Sequence, residues 1–420
     1  VRLLQLWARL FIASMILYAA ALIAAAAGAP ASFPVAVMAV VPWVSAAGGV
    51  VVVMIMVRLA MLKRRLLRVP AARPGSAADS PHDIIERAFA PLVQSKAVRD
   101  LAVAVILPGQ RVTYFPSADV VRHQTSLYEI GSLTKPMTAE VLASMILDGT
   151  ATMATRIGDV LPQSSLPAPI AEITLEELVT HQSGLPRIPR TFRMALAAAF
   201  SSDPYRWFGG ESLLRSLASA HRTTPRGTYS NFGFAVLGRL LGEMNGSDFR
   251  SALQARLLGP LGLSNTCIGP DGVTTLRQVR GHDRTGVPTP RWHAGAFAAA
   301  GGVSMTIADG AKWLGAHVEP PDGFRDMAAM VTRPLAPFGV DQIGMGWIIK
   351  QLDGMTVAWH NGGTGGFSSF AAFAPARGVG IIAFAASAHV PALDRAGFHV
   401  VRECVARWGA SDGEHRLQPG

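Results

Sequence analysis

The hydrophobic and polar positions divide this chain into three regimes. Residues 10 to 57 form a run of 48 without a single charged side chain. As helix, at about 1.5 Å per residue, this run would extend roughly 72 Å, more than twice a ~30 Å hydrocarbon core. Gly28, Pro30 and Pro34 punctuate it, which predicts two helices, about 10–28 and 36–57, joined by a short uncharged turn. Residues 70–82 are rich in Pro, Ala and Ser, have no periodicity, and read as an extended tether. From about Asp83 the pattern becomes globular.

Within the globular part, Leu101–Leu107 and Arg111–Phe115 are short apolar runs around Pro108-Gly109-Gln110, the signature of a β-hairpin. A second hairpin is predicted where Phe367–Phe373 and Val379–Ala386 flank Pro375-Ala376-Arg377-Gly378. Beyond it, Leu393, Val400, Val401, Cys404, Val405 and Trp408 recur at helical spacing, so Cys404 is expected as a buried thiol. The middle of the chain carries helical patterns at Glu211–Ala220, Phe234–Met244 and Asp248–Leu258, broken by Gly and Pro. Strands at both ends with helices between them predict one α+β domain with a helical insertion. The resulting division is a membrane anchor at 1–66, a linker at 67–83, the globular domain at 84–410 and a flexible tail at 411–420.

Charge placement sharpens this picture. The 420 residues carry a formal net charge of +10. Arg2, Arg9, Arg58, Lys63, Arg64, Arg65 and Arg68 supply seven basic charges in the first seventy residues, which contain no Asp or Glu. The remainder holds 31 basic against 28 acidic residues, too near neutrality for a nucleic-acid footprint. The basic flanks instead predict a multi-pass membrane protein with the lipid bilayer as partner, and they place both ends in the cytoplasm. A cleaved secretory signal, with Ala29-Pro30-Ala31 as the cut, is the alternative for the first helix. The two cysteines, Cys267 and Cys404, exclude a disulfide scaffold and most zinc spacings. No P-loop, H-E-x-x-H, G-x-G-x-x-G or G-x-S-x-G motif occurs, so no metal and no cofactor is expected.

Three elements carry chemistry. The first is Ile130-Gly131-Ser132-Leu133-Thr134-Lys135, at the start of a helix whose apolar positions continue through Met137, Val141, Leu142, Met145 and Ile146. Ser132 and Lys135, one turn apart, face the same way, and an amine there can take the proton that makes serine a nucleophile. The second is Tyr229-Ser230-Asn231, delivered to a helix start by a Pro and Gly turn. A phenol of pKa about 10 serves as a base when a neighbouring cation lowers it. The third is Trp359-His360-Asn361-Gly362-Gly363-Thr364-Gly365-Gly366-Phe367, where glycines beside an apolar strand signal close approach to the backbone.

In this order and spacing, the three elements resemble the serine β-lactamase and penicillin-binding family. Within it, the branch is that of class C β-lactamases, D-alanyl-D-alanine carboxypeptidases, D-aminopeptidases and related esterases. They match its S-x-x-K, Y-x-N and K/H-x-G signatures. Leu178–Pro186, Ala300–Ser304 and Gly344–Trp347 are family-like as well, and the resemblance covers about 84–408. It implies a β-lactamase/transpeptidase-like α+β fold, an antiparallel sheet flanked by helices with a helical subdomain, here preceded by two transmembrane helices. It implies Ser132 as acylated nucleophile, Lys135 as its proton partner and Tyr229 as general base. Asn231, His360, Gly362 and Thr364 would bind a small-molecule or peptide substrate, and the backbone N–H groups of Ser132 and Gly363 would form the oxyanion hole.

His181, in a recurring loop of the family, is expected to be structural. Class C β-lactamases usually carry Lys where His360 stands, and a mostly neutral imidazole anchors a carboxylate less well. The expected function is therefore a membrane-anchored serine hydrolase cleaving an ester or a D-amino-acid-containing amide through acyl-Ser132. The alternatives are a true class C-type β-lactamase and a non-catalytic acyl- or penicillin-binding sensor. The charge pattern points the domain inward; family analogy points it to the periplasmic or extracellular side.

Overall fold

The computed structural model describes residues 76, 79–95, 98–116, 125–161, 166–223, 227–269 and 277–410. The chain's first helix among them, α1 (Pro81–Gln94), starts inside the stretch read as a tether. Ser80 caps it: the Ser80 hydroxyl accepts from Asp83 N while the Asp83 carboxylate accepts from Ser80 N. Strands β1 (Ala102–Leu107) and β2 (Gln110–Tyr114) form the first expected hairpin, closed by Pro108 and Gly109. Then come β3 (Ser126–Glu129) and α2 (Thr134–Leu147).

A helical region follows and contains α3 (Asn231–Met244), which occupies the position predicted at Phe234–Met244. After it come β4 (Thr266–Ile268), β5 (Arg277–Gln278), β6 (Val303–Met305) and α4 (Ile307–Val318). The chain ends with β7 (Ala336–Phe338), β8 (Asp341–Ile343), β9 (Ile348–Leu352), β10 (Met355–Gly363), β11 (Ser368–Ala374), β12 (Val379–Ala385) and α5 (Pro391–Trp408).

Eight strands form one sheet in the order β2-β1-β12-β11-β10-β9-β8-β7, antiparallel throughout. The first and last parts of the domain therefore pair through β1 and β12. A small second sheet runs β4-β6-β3-β5. The central strands are buried on both faces, which explains why they read as continuous apolar runs instead of alternating ones. Val103, Val105, Phe370 and Ile381 pack with Leu393, Val400 and Cys404 of α5 and with Ile85 and Phe89 of α1. Ala104, Ile106, Phe373 and Phe384, one residue out of phase, pack with Trp313 and Leu314 of α4 in the larger core that also holds α2 and α3. Burial pushes the Cys404 thiol up to about 12, so it is an inert core group, as its place on the apolar stripe predicts.

The expected multi-pass membrane localisation is corrected here. Among the described residues no helix is long and apolar enough to cross a membrane. The longest, α5, has 18 residues but includes Asp394, Arg395, Arg402, Glu403 and Arg407, and α1, α2 and α3 have 14 each, short of the ~20 a bilayer requires. The two helices expected at 10–28 and 36–57 lie outside the described residues, as does the 411–420 tail. The expected bilayer partner has no support among the described residues.

Candidate active site

Ser132 lies in a single 3-10 turn, Gly131–Leu133, that runs directly into α2. Gly131 makes the turn possible in two ways. Its φ of +50° suits a residue without a side chain, and a Cβ there would fall 2.5 Å from Gly363 N. Gly362 is equally constrained, since its Cβ would meet Ile130 O at 2.0 Å and Ser132 N at 3.0 Å. The serine turn is thus seated on the end of β10, and the Ser369 hydroxyl locks it there by donating to Ile130 O at 2.6 Å. This seat brings the backbone of Ser132 beside those of Gly362, an expected substrate-binding residue, and Gly363, its expected partner in the oxyanion hole.

Lys135 is wholly buried, and its Nζ lies 3.0 Å from Ser132 Oγ and 2.6 Å from Ala300 O. The acceptor carbonyl is held in place from α2 itself. Thr138 Oγ1 donates to Ala299 O at 2.7 Å, and Val303 N donates to Thr134 Oγ1 at 3.1 Å. Loss of hydration drives the Lys135 pKa well below its ordinary value, and the Arg187 guanidinium pushes in the same direction. The shift moves the amine toward the neutral form, which can accept a proton from the serine hydroxyl.

Tyr229 immediately precedes α3, whose N-cap Ser230 accepts from Gly233 N at 2.8 Å. Its ring is enclosed by four groups: Lys135 Nζ at 4.7 Å, Arg187 Cζ at 5.0 Å, the His181 ring at 4.6 Å and the His360 ring at 6.2 Å. The Tyr229 hydroxyl hydrogen-bonds Ser132, yet burial outweighs that bond and raises the phenol above its ordinary pKa. His360, on β10, is also buried. Desolvation, aided by Lys135 and opposed by the Asn361 carbonyl, lowers its pKa to about 3. Its Nδ1 lies 2.6 Å from Asn361 O, which makes Nδ1 the protonated nitrogen and leaves Nε2 an acceptor without a partner.

The Beta-lactamase family model matches residues 85–405. The chain belongs to the β-lactamase family. It is similar to Penicillin-binding protein 4 of Amycolatopsis lactamdurans, 28% identical over 284 residues that cover 60% of this chain and 70% of the relative. It is also similar to the D-alanyl-D-alanine-carboxypeptidase/endopeptidase AmpH of Escherichia coli (strain K12), 25% identical over 341 residues, 75% of this chain and 86% of the relative. Among solved structures, the class C beta lactamase from Rhodobacter sphaeroides superposes with a TM-score of 0.66 at 20% identity, covering 77% of this chain and 99% of that one. The D-alanine carboxypeptidase AmpC from Burkholderia cenocepacia gives 0.65 at 21% identity, covering 78% and 99%. These superpositions establish the β-lactamase/transpeptidase-like α+β fold. The chain is accordingly a serine β-lactamase-family hydrolase.

In this β-lactamase-family chain the family-like stretches between the motifs are the walls of the site. Ala300–Ser304 carries the carbonyl that holds Lys135. At Gly346, in Gly344–Trp347, a Cβ would come within 3.0 Å of Lys135 O, so that stretch backs α2. His181, in Leu178–Pro186, takes φ +60° and accepts from Ser230 N through Nδ1 at 3.2 Å while its ring packs at a tilt against Tyr229. Asn231 Nδ2 donates to Tyr205 OH at 2.9 Å, and its Oδ1 is buried without a partner. The Thr364 side chain is bonded to buried Glu129 and also accepts from Gly366 N, so it faces back into the scaffold. Among the described residues no group of three or more His, Cys, Asp or Glu could hold a metal ion. Sequence reasoning passed over Tyr205, Glu129 and Arg187. The first two join the site through hydrogen bonds from distant segments, and an arginine after a loop motif carries no signal of its own.

Proposed function

We propose that the domain spanning 84–410 cleaves a D-amino-acid-containing amide, or an ester, through an acyl-enzyme on Ser132. The observation that carries this reading is the wholly buried Lys135 amine, 3.0 Å from the Ser132 hydroxyl. Neutral Lys135 takes the Ser132 proton as Oγ attacks the carbonyl carbon. The oxyanion accepts hydrogen bonds from the N–H groups of Ser132 and Gly363. Tyr229, whose raised pKa keeps it protonated, hands its hydroxyl proton to the leaving amine or alkoxide and is reprotonated from Lys135. Water then attacks the acyl-serine with the same groups acting in reverse. This order differs from the expectation that Tyr229 is the first base. That expectation needed a charged Lys135 to lower the phenol, whereas burial favours the neutral amine.

Asn231 Oδ1 and His360 Nε2 are both acceptors here, which suits a substrate offering N–H donors and so an amide of the carboxypeptidase type. His360 supplies no permanent cation for a β-lactam carboxylate, so slow turnover of a chromogenic cephalosporin is expected. Exposure to a fluorophosphonate or a penicillin, followed by mass spectrometry, should give one adduct on Ser132. An adduct that persists in Ser132→Ala would overturn the assignment.

A further inference from the structure

Arg187 has no role in the chemistry above, yet its guanidinium carbon lies 5.0 Å from the centre of the Tyr229 ring. Elsewhere in the helical region Arg215 pairs with Glu211, Arg222 with Glu177 and Arg239 with Glu243. Arg187 forms no such pair with a described acid, and its side chain is exposed. Its backbone, by contrast, is pinned to the catalytic turn. Asn231 N and Phe232 N donate to Arg187 O at 3.0 and 3.2 Å, and the Ser230 hydroxyl donates to Pro186 O at 2.7 Å. These bonds anchor the backbone that carries this cation beside Tyr229 and Asn231, the latter expected to bind the substrate.

The surrounding electrostatics leave Arg187 as the standing charge. Burial holds Lys135, His181 and His360 toward their neutral forms. A guanidinium does not titrate in the working range and offers a planar fork to a carboxylate. The aromatic face beneath it restricts its motion and leaves its outer N–H groups for a ligand.

We propose that Arg187 is a specificity-determining residue that binds an anionic group on the acyl portion of the substrate, so that the preferred substrates are acidic acyl peptides. The inference rests on the reading of Ser132 as the acylated residue, because that reading defines which side of the substrate is the acyl side.

The test separates binding from chemistry. N-succinyl-D-alanyl-D-alanine and N-butyryl-D-alanyl-D-alanine differ in acyl charge and share the same leaving group. Calorimetry on Ser132→Ala protein should show the succinyl peptide binding at least about tenfold more tightly. Adding Arg187→Gln should erase the difference, Arg187→Lys should retain part of it, and raised salt should shrink it. Equal binding of the two peptides, binding of neither, or a parallel loss of both in Arg187→Gln would overturn the proposal. In the last case Arg187 acts only through Tyr229. Failure of the acyl-serine reading shows itself elsewhere, as absence of a Ser132 adduct and of turnover in Ser132-intact protein while the succinyl preference stands.

Discussion

Replacing Lys135 with Met tests the central feature of the site, because it should remove activity at every pH while improving relative stability toward neutral pH. The side chain is buried within α2 and its pKa is driven well below the ordinary ~10.4 of a lysine, mainly by desolvation. A base with a depressed folded pKa contributes stability that is present above its unfolded pKa and is lost as pH falls through the folded value. Between these limits the unfolded chain holds one proton more than the native state. Wild-type stability should therefore fall as pH drops below ~10, by at most about 1.4 kcal/mol for each pH unit above the folded value, or roughly 2 °C in Tm for a domain of this size.

Lys135→Met removes that slope. It also leaves Ala300 O without its 2.6 Å donor, a pH-independent cost of about 1–3 kcal/mol. Melting curves of both proteins from pH 7 to 10 should show the variant's relative stability improving steadily toward pH 7. Acylation by a fluorophosphonate should fall by about 10²–10⁴ at every pH, the usual contribution of a positioned base. A stability difference that does not change across this pH range, or acylation within tenfold of wild type, would refute the reasoning.

Other perturbations probe the scaffold. Gly131→Ala forces a Cβ against Gly363 N from a positive φ; ester turnover should drop by at least about 10², the effect of losing one oxyanion donor, while far-UV circular dichroism is unchanged. The Glu140 carboxylate accepts from Trp313 Nε1 at 2.8 Å and lies 2.9 Å from His317 Nε2, with both members of the His317–Glu140 pair fully buried. Glu140→Ala should therefore cost about 3–5 kcal/mol in urea denaturation, and a loss under 1 kcal/mol would contradict a structural role for this buried carboxylate. Burial raises the Asp394 pKa to about 6 despite a hydrogen bond from Asn361. Its stabilising protonated form is fully present below about pH 4 and lost as pH rises to 6; Asp394→Asn should flatten that segment of the stability profile.

The hairpins, the C-terminal helix and the three motifs were legible because each depends on local pattern. Two-residue punctuation at Pro108-Gly109, unbroken apolar runs in β11 and β12, and the serine-to-lysine spacing at a helix start all survive in a linear reading. What escaped depends on segments far apart in the chain. α2 was read as having one apolar face, but from Thr134 to Ala143 it is buried all round, because the 299–303 segment closes over Thr138, Gly346 lies against Lys135 and Ala139, and Trp313 and His317 of α4 cover Glu140. The start of α1 was missed for a local reason. The Ser80–Asp83 capping box was visible, but the Pro and Ala before it outweighed it.

Enclosure of α2 from Thr134 to Ala143 also explains why the chemistry belongs to Lys135 and why so much of the chain is given over to holding it. A lysine exposed on a helix would remain charged at neutral pH and could not accept the Ser132 proton. Removing it from water creates the base but destabilises the fold, since the unfolded chain gains a proton there. The hydrogen bond to Ala300 O, the aromatic rings of Tyr229 and Phe234 and the packing of α2 offset that cost without restoring the charge. None of these supports is an acid. A carboxylate beside Lys135 would stabilise the protein more and disable it, by fixing the ammonium form. The acids nearest in sequence are turned elsewhere: Glu140 toward His317 and Trp313, and Glu129 toward Thr364 and the 291–292 segment. The distribution of buried carboxylates is thus itself part of the active site. It predicts that moving one next to Lys135, for instance by Phe234→Glu, would abolish acylation even if the fold survived.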